Sequence, residues 1–540
     1  MTPLREPVFQ RIWLGSLLSN FGLMIGGVGA AWAMTQLTAA ADMVALVQTA
    51  VMAPMMLAAL GSGAMADMYD RRLLALGGLT ISLLSSAILA ATAYLDLITP
   101  NILLGLSFSI GLGMALFSPS WQASVSEQVS ADALPSAIAL NSISYNIARS
   151  FGPAIGGVIV AAAGAVAAFA ANALLYIPLL LVLFAWRRAH EVARLPPERL
   201  GAAVVSGMRY VLHSPRIRVV LGRTLLMGLI GASVSALMPL VARDLLHGDA
   251  QTYGIMLGAF GVGAVLGAFG STSLRRHLSS EAAVRLCAVV MGAATVVVGL
   301  SRSPFLTAPA LVAAGAAWMV AGTQFNVAVQ LSAPRWVAGR ALSTYQMAIT
   351  GGIAIGSWGW GHVAQALGVN VALVISGAAM AASLALGFWL RMPVVEGTPE
   401  PADLLEEPEV NLGLTLRSGP IVVELDYRVA AEDARAFYGL MQEVQQSRQR
   451  NGAYGWSIAR DIAEPELWTE RFHCPTWLDY LRQRNRRTQA ERALQDRARQ
   501  FHLGDDPVQI RRMLERPFGS VRWKEEAPDS AYAGVLPPSS

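Results

Sequence analysis

Gly63-Ala-Met-Ala-Asp67-Met-Tyr-Asp-Arg71-Arg72 returns 204 residues later as Gly267-Ala-Phe-Gly-Ser271-Thr-Ser-Leu-Arg275-Arg276. The interval keeps Gly, Ala and both Arg in register, and it also carries Gly152 onto Gly356 and Gly157 onto Gly361. One unit has been used twice. Its surroundings are apolar: the 540 residues are 54% hydrophobic and 14% charged, with mean hydropathy +0.47. Soluble domains carry about 25% charge. A soluble core cannot absorb this much apolar surface, so the repeated unit is expected to live in a bilayer.

About 20 apolar residues cross a hydrocarbon core. Twelve segments reach that length: 12–35, 44–65, 73–94, 101–126, 137–162, 166–187, 217–241, 251–271, 282–301, 306–331, 341–365 and 369–391. The predicted fold class is an all-α polytopic membrane protein with 12 transmembrane helices in two six-helix lobes, 1–187 and 217–395. A connector over 188–216 joins them. Arginine orients the whole. Residues 1–395 hold 21 Arg against 12 acidic residues. With the N-terminus cytoplasmic, Arg71, Arg72, Arg275, Arg276 and the connector arginines fall inside, and only Arg243 and Arg302 fall outside. Both termini are therefore expected to be cytoplasmic, in a cell membrane.

The basic excess serves topology and does not point to nucleic acid. The apolar segment after TPLREPVFQRIW is too long, and too many spans follow, for a cleavable signal. Cys287 and Cys474 give no disulfide framework. No zinc spacing, phosphate loop or Ser-His-Asp pattern occurs, so no catalytic set, metal or cofactor is expected. The partners expected are the lipid bilayer and a small-molecule substrate.

In the fifth span, Asn141, Tyr145, Arg149, Gly152 and Gly156 lie three or four residues apart and share a face. Gly152, Gly156 and Gly157 permit close helix approach, and Pro153 bends the helix locally. Arg149 is the strongest functional candidate: a charge inside a span costs about 2.5–3.5 kcal/mol on insertion scales and needs a cavity or a partner. Arg223, nearer the membrane edge, is expected to snorkel. Asn20, Gln122, Asn141, Tyr145, Trp318, Asn326, Gln330 and Trp360 are the cavity candidates. Each taken singly reads more simply as an interhelical hydrogen bond or a packed ring. As a set they describe a broad aromatic, weakly polar cavity.

The stretch 63–72 resembles the signature of the major facilitator superfamily between its helices 2 and 3, a Gly-x-x-x-Asp followed by a basic pair. Two six-helix halves related by a parallel repeat are that superfamily's architecture. The resemblance implies a cytoplasmic gate of Gly63, Asp67, Arg71 and Arg72, echoed by Gly267, Arg275 and Arg276. The arginine pairs read equally well as topological anchors, and Ser271 stands where the second acidic residue would be. Residues 139–157, with Arg149, Gly152, Pro153, Gly156 and Gly157, resemble the Gly-Pro motif of the antiporter branch, which implies export. FSPSWQASVSEQVSADALPSAIALNSISYNIARSFGPAIGG (117–157) is similar to the bacterial family that contains the enterobactin exporter, the transmembrane secretion effectors. That likeness covers roughly 1–400. It implies export of siderophores, macrolides or other bulky amphipathic compounds by alternating access, coupled to protons. No Asp or Glu lies in mid-span, so Asp67, Glu127 and His362 are the coupling candidates.

Beyond 396 the texture changes. An acidic, Pro-rich linker (396–415) precedes an α+β domain (416–520) and a tail (521–540) expected to be disordered. IVVELDYRV alternates as a strand, 431–449 reads as an amphipathic helix, two strands follow, and 475–502 reads as one charged helix. This βαββα order resembles the antibiotic-biosynthesis monooxygenase fold, a ferredoxin-like module that pairs into dimers. The resemblance implies a homodimerising or regulatory cap. The alternative is a membrane-tethered enzyme whose tail modifies the exported compound. His473, Cys474 and Trp477 are too close in sequence to show a nucleophile with its orienting group.

Overall fold

The computed structural model describes residues 2–68, 70–125, 128–130, 133–186, 200–334, 337–393, 410–485, 488–504 and 506–515. The chain folds as two compact units. One is Met1–Val204 with Val219–Val329 and Leu342–Val394; the other is Val205–Arg218 with Gln330–Ala341 and Val395–Ser540.

The first lobe is built from α1 (Pro7–Leu37), α2 (Ala41–Met68), α3 (Arg71–Tyr94), α4 (Pro100–Ser124) and α5 (Leu134–Ala185). The connector contains a helix, α6 (Leu200–Leu212). The second lobe is built from α7 (Pro215–Leu240), α8 (Ala250–His277), α9 (Ser280–Leu300), α10 (Pro304–Ser332), α11 (Ala338–Leu367) and α12 (Val369–Ala382). A 3-10 turn and the short α13 (Leu386–Trp389) prolong α12. Among the described residues, ten helices are long and apolar enough to cross a membrane. The 52-residue α5 holds two of the expected spans; α11, 30 residues long, covers the expected segment 341–365 but is not one of the ten. Short polar loops start these helices. Asp70, Thr99, Asp249 and Ser279 each offer a side-chain oxygen to a backbone N–H of the first turn that has no helical partner.

Inside α5 the chain leaves helical geometry at Gly164, with φ 75° and ψ 177°. Gly368, 204 residues further on, joins α11 to α12 with φ 90° and ψ 154°. The interval read from the sequence is thus also the interval between two copies of one backbone turn. That region of φ/ψ space is open essentially to glycine alone. Gly164→Ala is expected to destabilise the first lobe by about 1–3 kcal/mol, read as a lower melting midpoint of the purified protein. Gly77→Ala, with nothing near its Cβ position, should leave the midpoint in place.

Arg223 does not snorkel. It is 5% exposed, and its Nη1 donates to Glu281 at 2.6 Å and to the Leu390 carbonyl at 3.2 Å. Glu281 opens α9 within reach and also accepts from Arg285 Nε and Met392 N, so a buried charge finds its partner inside the lobe.

The second unit carries β1 (Ile421–Arg428), α14 (Ala434–Arg450), β2 (Tyr454–Arg460), β3 (Leu467–Cys474), α15 (Trp477–Asn485), α16 (Gln489–Gln500) and β4 (Gln509–Leu514). The sheet is antiparallel in the order β2-β3-β1-β4, a ferredoxin-like arrangement. Ile421, Val423, Leu425 and Tyr427 pack against α14 through Phe437, Leu440, Met441 and Val444. Glu424 and Asp426 take the opposite face, where Arg511 reaches both at 3.1 Å. Two expectations are corrected. The single helix over 475–502 is broken, because Thr488 and Glu491 form a reciprocal capping box that restarts it. The strand β4 was not anticipated, since Arg511 and Arg512 hide its alternation; its pairing with β1 supplies the missing edge.

From Val205 onward the connector helix belongs to this second unit. Arg209 Nη1 donates to the Gly452 carbonyl at 3.4 Å. Tyr210 is 5% exposed, and burial, reinforced by the nearby Glu491 charge, pushes its hydroxyl up to about 12. At Gly207 an added Cβ would lie 2.6 Å from Arg340 Cδ, so the glycine is what lets that side chain cross α6. Residues 187–199, 394–409 and 516–540, with most of the expected linker and the expected disordered tail, lie outside the described residues.

Candidate functional site

The lobes meet along two seams related by the repeat. At the first, a Cβ on Gly157 of α5 would lie 2.6 Å from the Ala250 carbonyl oxygen and 2.9 Å from Gly254 Cα. Helix α8 answers with Gly254, Gly258 and Gly261, spaced four and three apart and so on one face. Their Cβ positions lie 2.5 Å from the Pro153 oxygen, 3.2 Å from the Ser150 oxygen and 2.6 Å from the Arg149 oxygen. At the second seam, Gly361 of α11 stands against Ala45 Cβ and Asp42 Cα of α2 at 2.7 and 3.0 Å. Gly157 and Gly361, paired in the sequence, thus hold equivalent places. Gly152 and Gly156 instead close α5 onto α1 at Met24 and Ile25, and Gly356 closes α11 onto the Leu229 backbone of α7. The sequence reading passed over the α8 glycines. Their signal was present as Gly254-x-x-x-Gly258-x-x-Gly261.

Polar groups cross between the lobes beside these seams. The Arg149 guanidinium lies 5.8 Å from the centre of the Phe260 ring on α8. Thr49 Oγ1 donates to the Ala354 carbonyl at 2.9 Å. The Ala41 N–H donates to Gln365 Oε1 at 2.6 Å, and Arg243 Nη1 donates to the Thr35 carbonyl at 2.9 Å. Trp32 of α1 stacks on Tyr253 of α8, with ring centres 6.3 Å apart. α1 runs away from the N-terminus, so Thr35, Ala41, Arg243 and Gln365 gather at the far, distal end.

The sequence-derived residues divide among several places. Asn20 Nδ2 donates to Ser144 Oγ at 3.4 Å and so joins the α5 wall that carries Asn141, Tyr145 and Arg149. Tyr145 is 42% exposed, and Asn141 has an enclosed Oδ1 without a hydrogen-bond partner. Gln122 is exposed on α4, bonded to Ser118 at 3.2 Å. On α10, Asn326 is half-buried and Gln330 exposed. Trp318 packs at Gly231 of α7, and Trp360 Nε1 donates to the Leu229 carbonyl at 2.9 Å. Both tryptophans are struts within the second lobe.

Of the gate residues, Arg71 and Arg72 both lie in the first turn of α3. Arg72 donates through Nε to Leu183 O at 2.8 Å and through Nη2 to Phe184 O, capping the last turn of α5. Arg71 opens α3 beside the helix-capping Asp70. Gly267 abuts Ala316 of α10, and Arg276 is exposed. The surroundings of Gly63 and Asp67, the side chain of Arg275 and the whole of Glu127 lie outside the described residues. His362 is exposed on the distal part of α11, with Nδ1 2.9 Å from the Trp358 carbonyl and its ring 4.9 Å from that indole.

In the tail, His473 and Cys474 point to opposite faces of the sheet. Cys474 is buried under the helices, 3.5 Å from Gln483 Oε1. His473 lies against Tyr454 at 5.4 Å and 3.7 Å from Glu515. They form no nucleophile–base pair. Among the described residues, no group of three or more His, Cys, Asp or Glu is placed to hold a metal ion.

A family model described as transmembrane secretion effector matches residues 1–518. The chain is 26% identical over 254 residues to the staphyloferrin A transporter of Staphylococcus aureus, a match that covers 46% of this chain and 63% of that relative. It is 26% identical over 356 residues to the multidrug efflux pump Tap of Mycolicibacterium fortuitum, covering 63% of this chain and 85% of the pump. Among solved structures, a nucleoside transporter superposes with TM-score 0.61 at 12% identity, over 71% of this chain and 100% of that one. A POT family transporter superposes with TM-score 0.59 at 12% identity, over 71% and 97%. At such identities the likeness establishes the fold alone.

Proposed function

The chain belongs to the transmembrane secretion effector family, and from that premise we propose that it exports small amphipathic compounds, siderophores or drug-like molecules, by alternating access in exchange for protons. The observation that carries this reading is the pair of seams at Gly157–Gly254 and Gly361–Asp42. There the two halves approach backbone to backbone at Gly157 and Gly254, and across a single alanine methyl and the Asp42 backbone at Gly361. Close approach at small residues leaves few side chains to unlock at these two points, which suits rocking of one repeat against the other. The names of the two curated relatives support the substrate class.

Arg149 is the proposed contact for an anionic group on the cargo or for the transition between states. It stands beside the α5–α8 seam and shares the α5 wall with Tyr145 and Asn141. A guanidinium suits a carboxylate or catecholate, forming charge-assisted hydrogen bonds. Asp67, Glu127 and His362 are the proposed proton sites, and Asp67 with the Arg71–Arg72 pair the proposed gate. The proposed setting is a bacterial inner membrane with both termini and the tail domain in the cytoplasm, the tail serving as a regulatory or homodimerising cap.

Uptake into inverted vesicles tests the reading, with an imposed proton gradient and a panel of siderophores, macrolides and dyes. Gradient-dependent accumulation of at least one class is expected. Accumulation no greater than in vesicles lacking the protein, across the whole panel, would overturn export. Arg149→Ala is expected to lower the uptake rate about tenfold, the scale of one desolvated cation contact.

A further inference from the structure

We propose that Arg243 and Gln365 form a distal latch, in which second-lobe side chains grip the α1–α2 hairpin by its two unsatisfied helix ends and hold the distal mouth shut. The proposal rests on the alternating-access reading and adds the residues that set its distal step.

A helix leaves its last carbonyls and first N–H groups without intrahelical partners. Helix α1 ends at Leu37 and α2 begins at Ala41, so both kinds of orphan lie within one short hairpin. Thr38 N takes the Met34 carbonyl at 3.1 Å, and the next carbonyl, Thr35 O, is met by Arg243 Nη1 at 2.9 Å. The first N–H of α2, on Ala41, donates to Gln365 Oε1 at 2.6 Å. A cation thus caps the negative end of α1, and an amide oxygen caps the positive end of α2. Each matches the helix dipole it faces. Both come from the opposite lobe.

Arg243 is aimed rather than loose. Its Nε and Nη2 are held by the Asp244 carboxylate at 2.6 and 3.1 Å, which leaves Nη1 for Thr35. The pair rides on a π-helical turn, Val241–Leu245, closed by Leu246 N to Val241 O at 3.0 Å. Such turns recur at functional sites. In the proposed orientation Arg243 falls on the side of the membrane where the positive-inside rule disfavours arginine, so topology does not account for it and the latch does.

The latch is tested by distance measurements between spin labels at Ala39→Cys and His247→Cys, both exposed positions on opposite sides of the mouth. The full chain is used in nanodiscs, with the buried Cys287 and Cys474 replaced by serine. The unaltered latch is expected to give mostly the short distance. Arg243→Ala and Gln365→Leu should each raise the long-to-short ratio about tenfold, the scale of one interlobe hydrogen bond to a charged or helix-end group. The double variant should raise it further, and Arg243→Lys should fall between. If Arg243→Ala does not fold, Asp244→Asn leaves the arginine in place and removes its aim, with the same expected direction. Ratios unchanged in the Gln365 and Asp244 variants would overturn the latch. Absent export by the unaltered chain would sink the transport reading and leave these distances as they are, so the two failures are distinguishable.

Discussion

Gly254→Leu is expected to lower transport by between tenfold and a hundredfold in a protein that still inserts and purifies. A Cβ at this position would lie 2.5 Å from the Pro153 carbonyl oxygen and 2.8 Å from Gly157 Cα. Both obstacles are backbone, so no rotamer change relieves the clash and the helices must separate. Overpacking of this kind costs about 1–3 kcal/mol. Here the cost falls on the state in which α5 and α8 touch, so the ratio of closed to open forms shifts by roughly that energy, tenfold per 1.4 kcal/mol. Gly270→Ala, on the same helix with nothing within 4 Å of its Cβ position, is the control and should transport normally. The vesicle uptake assay reads both. A Gly254→Leu protein that transports at the unaltered rate would show that the seam does not need to close.

Arg448→Leu is expected to destabilise the tail domain by about 3–5 kcal/mol. Arg448 and Glu470 are 4% and 0% exposed, joined by two hydrogen bonds of 3.0 and 3.2 Å. Burial works against the Arg448 charge, yet the Glu470 carboxylate outweighs it, and the guanidinium pKa is raised. Trp456 Nε1 adds a third donor to the same carboxylate at 3.0 Å, and the guanidinium lies 4.6 Å over Phe472. Removing the arginine leaves a buried carboxylate with one neutral donor. The double variant Arg448→Leu/Glu470→Leu removes both charges and should recover much of the loss, because replacing a buried pair by apolar groups is often near neutral. Hydrogen–deuterium exchange of the β1, β3 and α14 amides in the full chain measures both. A double variant no better than the single would mean that packing, and not the stranded charge, is what Arg448 supplies.

What could be read from the sequence follows what is local or repeated. The spans were legible because each must satisfy its own backbone in lipid and so announces itself in composition. The duplication was legible in Gly157 and Gly361, and the turn glycines Gly164 and Gly368 follow the same interval. The capping box at Thr488–Glu491 was written in the chain as Thr-x-x-Glu, but the surrounding charged periodicity masked it. Arg223 and Arg243 could not be read, because their partners, Glu281 and the Thr35 carbonyl, are 58 and 208 residues away. A rule that counts arginines by side of the membrane sees their charge and not their bonds. Trp318 and Trp360 were grouped with cavity residues for their chemistry, and packing, which sequence does not encode directly, ties them to α7.

Helix α6 changes what counts as the edge of the tail domain. Its Arg209 reaches Gly452 and its Tyr210 is buried beside Glu491 and Arg450, all within one compact unit. The linker after α13 is therefore where the chain crosses to the tail, and not where cooperativity ends. Amides of 205–212 should exchange with deuterium in step with those of α14 and α16, as one unit that opens together. The compact unit that holds the tail is thus split in sequence. A tail replaced without its matching connector helix leaves Tyr210 and Val211 wet, so grafts that move both segments should be the ones that fold.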